Sequence, residues 1–184
     1  MASSLHDSVQ FWHNGAARVP MLTATQELTY GRQVQEWLTA QDPSPQLIRR
    51  GKRAKERMIN SNLRLVVNVC QKFSRRIART PNLEMIDLYQ EGVIGLSRAV
   101  EKYDPQKGYR FTTYAYWWIR QNVTRAVETQ TSTIRVSNTA TQIAMRWRYR
   151  PDNQTITEFA DNEGKSIENI KRYLEGFNTA QTCS

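Results

Sequence analysis

Apolar residues recur at spacings of three and four along most of the chain, and alternating apolar and polar runs are nearly absent. That period belongs to helices rather than strands. With glycine sparse, at 8 of 184 residues, the pattern predicts an all-α protein of about eight helices. "TATQELTYGRQVQEWL" opens on Thr23 and Gln26, a capping box, and stops before the turn-rich "TAQDPSPQ". From Pro45 one long helix is expected through "RRGKRAKERMINSNLRLVVNVCQKFSRRIAR", with Gly51 as its weak point and "TPNLEM" as its end. "MIDLYQEGVIGLSRAVEKY" reads as the next helix, closed by the turn "DPQKG" with Asp104, Pro105 and Gly108. A further helix is expected from Thr112, as N-cap, to about Thr129. After "TSTIRVSN" come "TATQIAMRWRYR" and the pair "TITEFADNEG" and "SIENIKRYLEG", a helical hairpin whose Thr155 and Glu158 form another capping box.

The stretch "YRFTTYAYWWIRQNVTR" breaks the usual amphipathic rule by mixing rings, arginines and amides. Laid on a helix, Ala115, Ile119, Val123 and Ala126 form one apolar stripe, and Phe111, Tyr114, Trp117, Trp118, Gln121, Thr124 and Arg125 are assigned to the other face. The stripe is enough for packing without the tryptophans. Exposed rings among cations and amides suit unpaired bases, since each stacked base contributes roughly 1–3 kcal/mol. A protein–protein hot spot and plain core aromatics remain as alternatives.

Charge changes the picture next. Lys and Arg number 26 against 17 Asp and Glu, a net +9. The excess lies in residues 1–150, with 23 basic and 11 acidic residues, while 151–184 hold 3 and 6. A polyanion partner is implied, nucleic acid or an anionic surface. "RRGKRAKER" at 49–57 is either a solvated face or a phosphate-tracking strip. Asp87 and Glu91 stand at i and i+4 in an otherwise basic neighbourhood. They form a solvated face or a docking surface for a basic partner, because no third ligand at metal spacing accompanies them.

Other chemistry is poorly supported. Cys70 and Cys183 lie far apart and suggest neither a disulfide nor a metal clip. His6 and His13 sit near one terminus, no catalytic triad pattern is arranged, and "EGKS" lacks the upstream glycine of a phosphate-binding loop. No enzyme, cofactor or metal is expected. No apolar run approaches the roughly 20 residues of a membrane span, and a cytoplasmic protein is the expectation.

"NLRLVVNVCQKF", "DLYQEGVIGLSRAVEKYD", "KGYRFTTYAYWWIRQNVTRAV" and "TIRVS" closely resemble the central region of bacterial RNA polymerase sigma factors of the primary class. The resemblance is strong over 62–137 and looser on either side. It implies a sigma domain 2 over residues 1–137 and a small helical domain 3-like module over 138–184. It also implies binding to core RNA polymerase, at the clamp coiled coil of the largest subunit, through Asp87, Leu88, Gln90 and Glu91. Recognition and melting of the minus-ten element on the non-template strand of promoter DNA would follow. By position, Tyr103, Lys107, Tyr109, Phe111, Thr112 and Tyr114 would form a pocket for a flipped adenine, and Trp117 and Trp118 a wedge at the fork. Gln121, Thr124 and Arg125 would meet the last paired base, Asn62 and Leu65 a second flipped base, and Arg98 and Lys102 phosphates. An anti-sigma factor is a further implied partner.

The sequence departs from the family pattern in places. "SRRIARTPNLEMI" is a longer connection than usual, His13 and Asn14 replace a Met-Arg pair, and Ser137 stands where proline is common. The chain stops where the family continues toward a domain reading the minus-thirty-five element. A truncated sigma-like decoy of the polymerase and a free helix-turn-helix duplex binder are the alternatives.

Overall fold

The computed structural model describes residues 2–78, 83–130 and 136–182. Among them the chain is all-α with no strand, as the periodicity predicts, but in ten α-helices rather than about eight. The helices are α1 Ala2–Arg18, α2 Ala24–Thr39, α3 Pro45–Ser61, α4 Leu63–Gln71, α5 Ser74–Ile77, α6 Met85–Lys102, α7 Phe111–Gln130, α8 Asn138–Arg148, α9 Ile156–Asn162 and α10 Ile167–Thr182. A 3-10 turn, Pro105–Lys107, joins α6 to α7. Two compact units result, one built from α1 to α6 with α7 as far as Ala126, the other from Val127 onward. No described helix is long and apolar enough to cross a membrane.

Three helices stand where one long helix was expected from Pro45. The first break is at Asn62, whose backbone leaves helical angles at φ −115°, ψ 9°. Its side-chain Nδ2 donates to the Met58 carbonyl at 2.8 Å, the local competition by which asparagine unsettles a helix. A second break follows Gln71, and α5 occupies only one turn. Gly51 is no weak point. It lies buried in mid-helix, where a Cβ would fall 2.4 Å from that of Trp37. The missing side chain seats the α2 tryptophan against α3.

The first unit is organised around α6. Leu88, Tyr89, Leu96, Ala99 and Val100 are buried and meet Val66, Val69 and Cys70 of α4 and Ala115, Ile119 and Val123 of α7 in one core. Two glycines of "EGVIGL" permit the approach. A Cβ on Gly92 would lie 2.6 Å from Val66 Cγ1, and one on Gly95 would lie 2.8 Å from the Trp118 carbonyl oxygen. α1 adds Trp12 and His13, the first with its ring 5.2 Å from that of Tyr89, the second with Nε2 2.7 Å from the Tyr89 hydroxyl.

The start of α7 differs from its expected form. The helix begins at Phe111, and Thr112 is not its cap. A buried carboxylate from α2 serves instead: Glu27 accepts the Phe111 N–H at 3.1 Å and both Arg110 Nε and Nη2, at 3.0 and 2.9 Å. Such a group at a helix N-terminus satisfies an orphan donor and faces the positive end of the dipole. The expected caps at Thr23 and Thr155 are present.

In the second unit Ile143, Phe159, Ala160 and Ile170 form a small core. Trp147 packs edge-on to Phe159 at 5.1 Å between centroids, and the Arg150 guanidinium lies 3.5 Å above the Trp147 ring. Gly164, at φ 61°, turns α9 into α10. Ser137 caps α8 by accepting the Ala140 N–H, a use of this position that proline could not supply. Half of the expected connection "TPNLEM" and most of "TSTIRVSN" fall outside the described residues.

Two predictions follow from the buried groups. Glu27→Ala should lower the free energy of unfolding in urea by about 1–3 kcal/mol, the cost of stranding the buried Phe111 N–H. Its effect should be smaller in an Arg110→Ala background than alone, the sign of a direct coupling. Burial pushes the Cys70 thiol from its ordinary 9.0 up to about 12, and raises the hydroxyls of Tyr89 and Tyr103 too. The folded chain therefore keeps protons that the unfolded chain releases. The stabilisation is full below pH 9 and is lost as pH rises toward 12. Urea titrations should show a fall of about 1.4 kcal/mol per pH unit from the thiol alone, beginning nearer pH 10 in Cys70→Ala.

Candidate nucleic-acid interface

The expected base-contacting side chains divide between two levels of α7 and the turn before it. Tyr103 and Phe111 form the lower level. They are buried, at 1% and 0% exposure, and meet edge to face at 5.2 Å. The placement of Phe111 on the outward face is thus corrected: it stands within 40° of Ala115 on the helix circle at 100° per residue, on the edge of the core stripe. Tyr103 donates its hydroxyl to the Tyr109 carbonyl at 3.0 Å, which ties the turn to the core.

The upper level rests on that floor. Tyr114, half-buried, lies 6.2 Å from the Tyr103 ring and 6.2 Å from Trp118, its neighbour one turn on. Its hydroxyl donates to the Lys102 carbonyl at 3.3 Å. The result is a continuous series of rings from Phe111 through Tyr103 and Tyr114 to Trp118. Trp117 is 62% exposed. It packs edge-on to Tyr116 at 5.5 Å, with the Arg120 guanidinium 5.7 Å from its centroid. Lys72 reaches the other side of this pair, 5.1 Å from the Tyr116 ring. Each such aromatic pair contributes about 0.5–1.5 kcal/mol beyond burial, enough to hold exposed rings in a preferred orientation.

Around the rings Tyr109, Lys107, Lys102, Gln121 and Arg125 are exposed, and Thr112 and Thr124 half-exposed. Arg98 is exposed but anchored, donating to Asn122 Oδ1 at 3.2 Å, while Asn122 Nδ2 donates to the Trp118 carbonyl at 3.0 Å. Its acceptor is a neutral amide, which does not offset its charge. Leu65 is half-buried and Asn62 buried, its amide turned to Met58. Tyr116, Arg120 and Asn122 were missed by the sequence reading. Arg120 alone had a local signal, its position three residues after Trp117.

The acidic segment is also rearranged. Leu88 is wholly buried and its carbonyl accepts the Cys70 thiol at 3.3 Å, so it is core rather than a contact presented to a partner. Asp87 accepts the Glu84 N–H at 2.9 Å and closes the capping box of α6. Gln90 is exposed, Glu91 half-buried, and Ile94, not anticipated, is 45% exposed one turn beyond Gln90. This face therefore offers an amide, a carboxylate and an apolar side chain in a row. Among the described residues no cluster of His, Cys, Asp and Glu could hold a metal.

Residues 58–133, which contain the ring series and the acidic segment, match the family described as Sigma-70 region 2. The chain is 43% identical over 157 residues to RNA polymerase sigma factor SigA2 of Synechococcus elongatus, covering 71% of this chain and 48% of that protein. It is 40% identical over 157 residues to RNA polymerase sigma-B factor of a Nostoc species, covering 71% of this chain and 46% of that one. Against the sigma-C factor of the same Nostoc strain identity rises to 59% over 86 residues, 47% of this chain and 20% of that protein. The chain thus spans about half the length of the first two relatives. Together these matches make the chain similar to RNA polymerase sigma factors over region 2 and its flanking residues.

Proposed function

We propose that the chain binds core RNA polymerase through the exposed face of α6 and opens promoter DNA by holding unpaired bases of the minus-ten element on α7. The observation that carries this is the Trp117 ring, largely exposed yet held by Tyr116 and Arg120. A ring oriented before binding loses little freedom when a base stacks on it. Tyr114 and Trp118 add half-buried faces beside it, and Tyr103 and Phe111 support them from below. Gln121, Thr124 and Arg125 follow along the helix toward the paired DNA, and Arg98, Lys102 and Lys107 supply charge for the backbone. Melting then needs no hydrolysis, because stacked and pocketed bases are available only in the open strand.

Gln90, Glu91 and Ile94 form the polymerase contact in this proposal, with Asp87 and Leu88 holding the helix that presents them. Carboxylates repel phosphate, which supports a protein partner there rather than DNA. The completeness of the ring set supports a primary-type promoter reader, with residues 1–137 as the polymerase and minus-ten module and 138–184 as a domain 3-like module. Recognition of duplex by the α9–α10 hairpin is less favoured, since α10 opens with Ile167, Glu168 and Asn169, a poor start for major-groove contact.

Two variants separate the faces. With core polymerase and a forked minus-ten template, Trp117→Ala should weaken strand capture about 5- to 150-fold, the range of one lost stacking contact. Its retention in a core pull-down should be unchanged. Gln90→Ala with Glu91→Lys should lose core retention while binding to a non-template oligonucleotide is unchanged. Loss of core retention in Trp117→Ala with normal circular dichroism would overturn the assignment.

A further inference from the structure

A second basic surface lies on α2 and α3, away from the Glu27 contact to the ring helix. There a groove of about 490 Å3 is lined by Arg49, Arg50, Arg53 and Arg57 of α3, with Tyr30 and Gln33 of α2 opposite. The residue types on α3 are sorted by side: arginines line this groove, whereas Lys52 and Lys55 line a separate depression beside Trp37. Arg50 is paired with Glu36. Among the described residues Arg49, Arg53 and Arg57 have no acidic partner. They are exposed and contribute nothing to the core.

The three stand four residues apart, so the charges climb the helix in steps of roughly 6 Å. Like charges at that spacing repel one another on a helix. A linear polyanion laid along the groove would relieve the repulsion at every step. Strand phosphates recur about every 3.4 Å of axis in a stacked duplex and farther apart in an extended single strand, so successive arginines can each meet one of them. Guanidinium forks suit phosphate oxygens better than ammonium groups do, which fits the exclusion of lysine from this side. The groove is open and none of its arginines is buried, so it does not enclose a small ligand. Its position on α3 is set by the Gly51–Trp37 contact, which presses α2 and α3 together.

We propose that the α2–α3 groove is a phosphate-tracking site that grips the backbone of a single-stranded nucleic acid, independently of the α7 rings and of base sequence. It stands apart from the minus-ten proposal, since it asks only for a strand of regular negative charge. Fluorescence anisotropy of the full chain with a labelled 20-nucleotide single strand, titrated across NaCl concentrations, tests it. Arg49→Ala, Arg53→Ala and Arg57→Ala combined should reduce the slope of log affinity against log salt by roughly 2, three phosphate contacts at about 0.7 each. The loss should be equal for a random and a minus-ten-like sequence. A triple variant of equal charge change in the second unit, Lys165→Ala, Lys171→Ala and Arg172→Ala, should leave the slope as it was. Trp117→Ala should weaken binding without altering the slope, so failure of the ring proposal is read separately. An unchanged slope in the arginine variant would overturn the groove, and so would an equal drop in the control variant. Displacement of the strand from wild type by polyglutamate at equal charge concentration would instead mark an acidic-polypeptide site and overturn it likewise.

Discussion

The carboxylate of Glu27 is the point on which the candidate interface is hung. It is 2% exposed and brings together three donors from a segment more than 80 residues away, two from Arg110 and one from the first amide of α7. A buried charge with fewer partners would cost more than it returns. With all three satisfied, it fixes where α7 begins and therefore which residues of the helix fall on the core side. The ring series inherits its register from that start. Moving the first turn by one residue would rotate every later side chain by about 100°, carrying Trp117 toward the core and Ile119 away from it.

Around this anchor the molecule separates rigidity from recognition. Side chains that fix geometry are buried: Tyr103, Phe111, Asn122 and Leu88. Those able to meet a partner sit one layer out, on Tyr109, Trp117, Gln90 and Ile94. Several residues that the family resemblance links directly to a base or to the polymerase therefore belong to the supporting layer of the free protein. A supporting residue and a contacting residue can stand equally near a site. Only burial tells them apart.

Local rules were readable in the sequence. Capping boxes at Thr23 and Thr155, the Asp104–Gly108 turn and the bounds of α6 all arise from residues within one or two turns, and each appeared as expected. Long-range rules were not. Glu27 has no local feature that announces a partner at Arg110, and Gly51 looked like a helix flaw because Trp37 is 14 residues upstream. The Asn62 break shows an intermediate case: asparagine inside an apolar helical run is a recognisable signal, but "NLRLVVNVC" is so strongly periodic that the run outweighed it. Phe111 was misplaced for a simpler reason. Its position on the helix circle is marginal, 40° from Ala115 at 100° per residue, and its ring is chemically like those that face outward.

Gly95 carries a consequence of another kind. Its missing side chain lets α6 come against the backbone of α7 at Trp118, and the same stretch of α7 bears the outward rings. A contact between main chains leaves no side chain to rearrange. α6, proposed to meet the polymerase, and α7, proposed to hold the bases, are therefore packed here with no side chain from α6 between them. In evolutionary terms position 95 admits no gradual path: the smallest possible enlargement, one methyl group, would act as a wedge between the two helices.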